Sequence, residues 1–279
     1  MINRITFKAY CRNAPLGGRL TEQQEEGLDH ILDEWNAQGG SDLRQLAYVL
    51  ATAFHETGGK MAPVREGFAK NDASARKIVR KICAGRPAKT DYSRPDPATG
   101  HVYYARGLSQ LTWADNYKRL GQKIGVRLYE NPDLALEPDI SARVLVVGML
   151  AGMFTGKGLD DYFNDTADDP VEARRIINGT DKAQLISTYH EQFLGALKAA
   201  DTSTPQPQDV TKADAEPDGK PLAQDPLTIG TMTSAAGGIG ASLIAAVNNP
   251  WALVAVLVIA VGVGLFLTGR LQIRRQAGA

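Results

Sequence analysis

Residues 226–269 contain no charged side chain at all, and this span limits the possible folds more than any other feature of the chain. Its last part, WALVAVLVIAVGVGLFLT at 251–268, is 18 uncharged residues long. As an α-helix it would reach about 27 Å, close to the ~30 Å hydrocarbon core of a bilayer. Trp251 suits one interface, and Arg270, Arg274 and Arg275 suit the other. Residues 227–247 are rich in Gly, Ala, Ser and Thr, which suits a second helix packed through small residues, with Asn248, Asn249 and Pro250 as a hairpin turn. The expectation is a membrane segment over 227–269, of one or two spans, followed by a basic tail at 270–279. Arginines after the last span favour a cytoplasmic C-terminus. One span then puts the N-terminal domain outside the cytoplasm and two spans keep it inside. The implied location is a membrane, a bacterial inner membrane in the first instance, with the side of the N-terminal domain left open.

Two further parts precede the membrane segment. Residues 201–226 hold five prolines and almost no large apolar side chains, and six acids against two lysines give a net charge of −4. Such a stretch cannot bury enough surface to offset chain entropy, so it reads as a disordered linker. Residues 1–200 mix charged and apolar positions at helical spacing and form the first domain. Over the whole chain 31 basic residues balance 31 acidic ones, which argues against a nucleic-acid binder. The first residues, MINRITFKAYCRNAPLGG, lack the apolar run and cleavage site of a signal peptide. Cys11 and Cys83 cannot make a disulfide framework and read as two free thiols.

The domain at 1–200 reads as mainly α. Thr21 and Gln24 fit a capping box, and Leu28, Ile31, Leu32 and Trp35 follow on one helix face until Gly39 and Gly40. Ser41 can cap the next helix, whose buried face is Leu43, Leu46, Ala47, Leu50 and Phe54 and whose stop is Gly58 and Gly59. Further helices are expected over 73–83, 113–124, 139–154, 170–178 and 182–199, with a small hairpin near 100–111.

Three segments carry candidate chemistry. In the first, FHETGG at 54–59, Glu56 opens off the end of an apolar helix. Desolvation disfavours the charged form of a carboxyl, which is the property a general acid needs at neutral pH. An exposed glutamate at an ordinary helix end explains the same segment. A zinc-protease reading of His55 and Glu56 fails because position 59 is Gly59, not histidine. His30, His101 and His190 lie far apart in sequence, and no metal or cofactor is implied. The second segment is YYARGLSQLTWADNY at 103–117, whose aromatic rings can stack on sugars and whose amides and hydroxyls can bind them; packing before a helix explains it as well. The third is RRIINGT at 174–180, where Asn-Gly also serves as a helix stop.

Taken together and in this order, these three segments resemble the family 19 glycoside hydrolases, more closely their phage and bacterial lysozyme-like branch than the plant chitinases. The opening GGRLTEQQEEGLDHILDEW at 17–35 is similar to the start of that branch. The resemblance covers roughly residues 10–199. It implies a lysozyme-like, two-lobed helical domain that cleaves β-1,4 bonds next to N-acetylated sugars by inversion. It implies Glu56 as general acid, with His55 and Thr57 beside it. It also implies that His55, Thr57, Tyr104, Arg106, Gln110, Thr112, Asn116 and Asn178 bind substrate, with Gln110, Thr112 and Asn116 on sugar hydroxyls or the attacking water and Asn178 lining the groove. Ala105 stands where many members have glycine. In the chitinases the base lies about two dozen residues after the acid. The phage-like branch often has a glutamate about ten residues on, the place Glu66 takes here. An inverting pair stands roughly 6.5–9.5 Å apart; pairing of Glu66 with a nearby base such as Arg65 is the structural alternative.

Nine basic residues and two acidic ones, Glu66 and Asp72, lie between Lys60 and Lys89. A local basic face attracts anionic peptidoglycan better than neutral chitin, although a solvated helix face explains the run equally. The expected function is a peptidoglycan-degrading lysozyme or endolysin. A chitinase is one alternative, and a membrane-anchored wall-binding protein with an inactive site is another.

Overall fold

The computed structural model describes residues 2–202. The linker from 203 on, the apolar segment 227–269 and the tail 270–279 lie outside the described residues. Among the described residues no helix is long and apolar enough to cross a membrane.

Seven α-helices make up most of this part: α1 (Arg4–Asn13), α2 (Glu22–Ala37), α3 (Leu43–Glu56), α4 (Asp72–Ile82), α5 (Ala114–Ile124), α6 (Pro138–Leu150) and α7 (Ala183–Thr202). The fold is mainly α, as the helical spacing implied. α3 is its centre. From Gln45 to Phe54 every residue is buried, so this helix is wrapped on all sides. α7 packs along it most extensively, α1 lies on α7, and α2 lies on α6.

The capping box of α2 forms as expected: Thr21 Oγ1 accepts from Gln24 N at 3.2 Å, and Gln24 Oε1 accepts from Thr21 N at 2.9 Å. Leu28, Ile31, Leu32 and Trp35 are all buried. The cap of α3 is Asp42 instead of Ser41. Its carboxylate accepts from Arg44 N at 2.8 Å and also pairs with the Arg44 side chain, two contacts a serine cannot make together. Four other elements differ from the expectation. α1 had no assignment in the sequence reading; Asn3 caps it by accepting from Ile5 N and Thr6 N. The helix expected over 170–178 is only a 3-10 turn, Glu172–Ile176. α6 stops at Leu150, because the chain turns through Gly152 at φ +62°. α7 runs to Thr202, two residues into the stretch assigned to the linker.

The short sheet pairs β1 (Val64–Arg65) with β2 (Arg106–Gly107), antiparallel, with Val64 opposite Gly107 and Arg65 opposite Arg106. A tight reversal follows β2, closed by Arg106 N to Leu111 O at 3.1 Å and Leu111 N to Arg106 O at 2.9 Å. The hairpin expected near 100–111 is therefore present, but its first strand also pairs with residues far earlier in the chain. Cys11 and Cys83 are buried free thiols.

Candidate active site

Glu56 is the last residue of α3. The helix stops because Gly58 and Gly59 take φ +61° and +83°, a conformation that costs glycine little. Thr57 is fully buried. Its Oγ1 donates to Ala53 O at 2.7 Å and accepts from Met61 N at 3.0 Å, so it shapes the turn from inside. Gln24 Nε2 donates to Gly59 O at 2.9 Å and ties the same turn to α2. The approach is close: a Cβ on Gly27 would stand 1.7 Å from Met61 O.

Glu56 does not end in an apolar surround alone. Arg174 Nη1 donates to its Oε1 at 2.6 Å, with the side chains 6% and 15% exposed respectively. Arg174 is held in turn by Nε donating to Asp181 O at 3.2 Å. The first and third motifs therefore meet through this ion pair. Oε2 of Glu56 has no protein donor among the described residues. His55 is half-buried, and its Nδ1 is buried without a partner. Burial lowers the His55 pKa below its ordinary 6.5, which favours the neutral ring.

Glu66 follows β1 directly. Its backbone N donates to Ala105 O at 2.8 Å. Its carboxylate accepts twice, from Tyr92 OH at 2.7 Å on Oε1 and from Ala105 N at 3.1 Å on Oε2. The side chain does not pair with Arg65, which instead grips Asp133 with both Nη atoms at 2.7 and 2.8 Å. Burial, reinforced by the bond to Glu66, pushes the Tyr92 hydroxyl well above its ordinary pKa of 10, so it stays a donor. The edge of Tyr92 meets Trp113, their ring centres 5.4 Å apart.

Gln110 takes φ +51°, unusual for a residue with a side chain. Its Nε2 donates to Val64 O at 3.1 Å and Gly107 O at 2.9 Å. Both acceptors are carbonyls, so the amide orientation is unambiguous and Oε1 is left facing no protein donor. Thr112 Oγ1 donates to Gln110 O, and Asn116 Nδ2 donates to Thr112 O, each at 2.9 Å. These three partly exposed side chains form one connected row beside β1. Trp113 interrupts the row at φ +76° and is 40% exposed. It borders an open depression of about 600 Å³ lined also by Asp115, Asn116 and Arg119.

Tyr104 and Arg106 are placed differently from the other motif residues. Both are buried, at 0% and 2% exposure. Arg106 lies 3.6 Å over the Tyr104 ring and donates to Asp133 Oδ1 at 2.9 Å, Val102 O at 3.1 Å and Tyr117 OH at 3.2 Å. Tyr104 OH donates to Asp72 Oδ1 at 2.9 Å, and burial pushes its pKa up to about 12. These two side chains hold β2 from inside and present nothing to solvent, so they, like the fully buried Thr57, support the site's backbone and do not bind substrate as the resemblance implied. Asn178 is exposed and accepts from Gly179 N at 2.9 Å.

The structure thus makes two assemblies. Glu56 stands with Arg174, and Glu66 stands with Tyr92, Gln110 and the row through Asn116. The peptide 57–65 joins them. Among the described residues, no group of three His, Cys, Asp or Glu side chains is arranged to hold a metal. Tyr92 and the Arg174 contact went unread in the sequence. Tyr92 lies in the Pro- and Gly-containing stretch 84–102, which carries no periodic signal, and an arginine 118 positions from its partner leaves none either.

Residues 34–147 match the family described as chitinase class I. The chain is 39% identical over 104 residues to endochitinase 1 of Theobroma cacao, covering 35% of this chain and 30% of that one. It is 45% identical over 49 residues to inactive chitinase-like protein 1 of Hevea brasiliensis, covering 16% of each. The chain spans about a third or less of the length of these curated relatives. Among solved structures, chitinase C from Streptomyces griseus aligns over 75% of this chain and 80% of its own, at 24% identity and a TM-score of 0.46.

Proposed function

We propose that this protein, whose residues 34–147 match the chitinase class I family, is a glycosidase that cuts β-1,4 bonds beside N-acetylated sugars, with Glu56 as general acid and Glu66 as base. The observation that carries the reading is the contrast between the two carboxyls. Glu56 is anchored through Oε1 alone, which leaves Oε2 for a glycosidic oxygen. Glu66 has both oxygens fixed by N–H and O–H donors, an arrangement that suits a carboxylate taking a proton from water.

In this scheme Glu56 carries a proton on Oε2 while Oε1 stays bonded to Arg174 and gives that proton to the departing oxygen, and Glu66 takes a proton from water attacking the opposite face of the sugar ring, which inverts the anomeric centre. Gln110 Oε1, Thr112 and Asn116 line the approach and hold sugar hydroxyls or the water. Trp113 offers an apolar face on which a ring can stack. Arg174 positions Glu56. Thr57, Tyr104 and Arg106 keep the two backbone turns in place, and Asn178 contributes from the exposed turn behind Arg174.

Peptidoglycan is the substrate we favour, on the strength of the exposed cations of α4 described below. In this reading the protein is a lysozyme of the endolysin kind, encoded by a phage or its bacterial host. The uncharged segment 227–269 tethers it to a membrane, and the stretch before it acts as a spacer. Chitin is the second reading, supported by the endochitinases among the relatives.

The deciding experiment incubates the full-length chain with purified sacculi and with soluble chitin oligomers. Mass spectrometry of the products identifies the bond cut and the sugar carrying the new reducing end. Release of muropeptides supports the lysozyme reading, and faster cutting of chitin oligomers supports the chitinase. Absence of any new reducing end from either substrate sinks the enzymatic assignment.

A further inference from the structure

The α4 surface has a charge excess that the reaction at Glu56 and Glu66 does not use. α4 is anchored by Ala75 and Val79, both fully buried, with Ile78 packed beneath the turn at Gly67. That geometry turns Lys77, Arg80 and Lys81, spaced i, i+3 and i+4, out to solvent on one stripe. None of the three makes an ion pair among the described residues; on this helix only Arg76 does, with Asp72 at 2.6 Å. The exposed cations continue past the helix end with Arg86 and Lys89.

The chain leads from this stripe to the candidate site through Arg86. The Arg86 guanidinium lies over the Tyr92 ring at 5.9 Å. Tyr92 in turn donates to Glu66 and meets Trp113 edge-on. A chain of contacts therefore runs from Arg86, five residues beyond Lys81, to the carboxylate proposed as base. Unpaired cations in such a row repel one another and are relieved by a polyanion laid along them. One exposed apolar side chain in the stripe, Ile82 at 41%, is too little for insertion into a bilayer.

We propose that Lys77, Arg80 and Lys81, continued by Arg86 beside Tyr92, form a binding face for the carboxylate-bearing peptides of a wall glycan whose sugar backbone lies at Glu66. The proposal rests on the glycosidase reading above and adds to it the charged part of the substrate. The cations act on affinity and arrival rate, so their contribution falls as salt rises.

The test uses the full-length chain in detergent, carrying Glu56→Gln so that sacculi stay intact. Binding is measured by co-sedimentation with purified sacculi and with the same sacculi after amidation of their carboxylates. Intact sacculi should bind about fivefold to tenfold tighter than amidated ones, and raising NaCl from about 50 to about 300 mM should erase the difference. The triple variant Lys77→Gln/Arg80→Gln/Lys81→Gln should bind both forms equally and weakly. These three side chains are exposed, so its melting temperature should match the parent's; a second triple, Lys77→Arg/Arg80→Lys/Lys81→Arg, keeps the charge and should keep the preference. Unchanged preference in the neutral triple overturns the proposal. So does a neutral triple that loses binding to phosphatidylglycerol vesicles but keeps its grip on sacculi, since the face would then serve a lipid. Charge-dependent binding to sacculi in a chain whose parent releases no reducing ends upholds the face and sinks only the glycosidase reading.

Discussion

Arg174 reaches Glu56 across 118 positions of sequence and donates to its Oε1 at 2.6 Å, with both side chains largely withdrawn from solvent. An ion pair in that setting is costly to break from one side, because the partner left behind has lost its water as well. Arg174→Ala should lower stability by about 2–3 kcal/mol, less than a fully buried pair because Glu56 retains some exposure. For a domain of this size that is about 4–10 °C in melting temperature. Arg174→Lys keeps the charge but loses the Nε bond to Asp181 O, and should fall between. A calorimetric scan in which Arg174→Ala melts with the wild type would show that the pair is loosely made.

Removal of either proposed catalytic carboxyl should stop turnover while the chain stays folded, with Glu56→Gln also losing some stability because Arg174 is left without its counter-charge. Glu56→Gln and Glu66→Gln should each lower kcat by about 10²–10⁴-fold. Tyr92→Phe removes one of the two donors to Glu66 and should cost about tenfold, since Ala105 N still holds the other oxygen. Single-turnover kinetics on sacculi separate these. If Tyr92→Phe proves as damaging as Glu66→Gln, the tyrosine does more than orient the carboxylate.

Gly27 sits within α2, where alanine would ordinarily be favoured by about 1 kcal/mol. Packing reverses the sign. A Cβ there would stand 1.7 Å from Met61 O and 3.1 Å from Met61 Cβ, and the obstructing atom is backbone of the turn that carries Glu56. Gly27→Ala should therefore destabilise by about 2–3 kcal/mol and lower activity as well. Urea unfolding is the check, and a variant more stable than wild type would refute the close approach.

Stability should fall with acidification, beginning below pH 6.5. His190 stacks on Phe163 and meets Arg44 O through Nε2, while its Nδ1 is buried with no partner. Burial lowers its pKa from 6.5, as it does for His55. The unfolded chain then takes up protons at these two rings before the folded one does. Unfolding is favoured as pH drops through 6.5 towards the lowered values, and the contribution is fully present above 6.5. Each histidine adds at most about 1.4 kcal/mol per pH unit in that window. Urea midpoints at pH 8, 6.5 and 5.5 test this, and His190→Gln should flatten the slope. A flat wild-type profile would mean that His190 finds a partner for its proton inside the fold.

Much of the helical framework was legible because its signals are local. The capping box at Thr21 and Gln24, the stripe from Leu28 to Trp35 and the glycine stop after Glu56 all lie within one or two turns of the residues they govern. Where two local signals competed, the reading slipped. Ser41 and Asp42 are both good caps, and Arg44 decides between them by pairing with Asp42. The segment 170–178 looks helical by composition, yet it is held as a 3-10 turn, its Arg174 carrying bonds to Glu56 and to Asp181 O.

The amino-acid order alone determined the position of Glu56 at a helix end and the three motifs, since each depends on spacing within a single segment. Only the folded chain decided what each motif residue faces. Tyr104 and Arg106 turn inward onto Asp72 and Asp133, while Trp113 stays at the surface and Glu66 is gripped by Tyr92. Those choices are set by contacts between residues 26 to 32 positions apart, and the energy of such contacts depends on burial and direction, which no one-dimensional pattern contains.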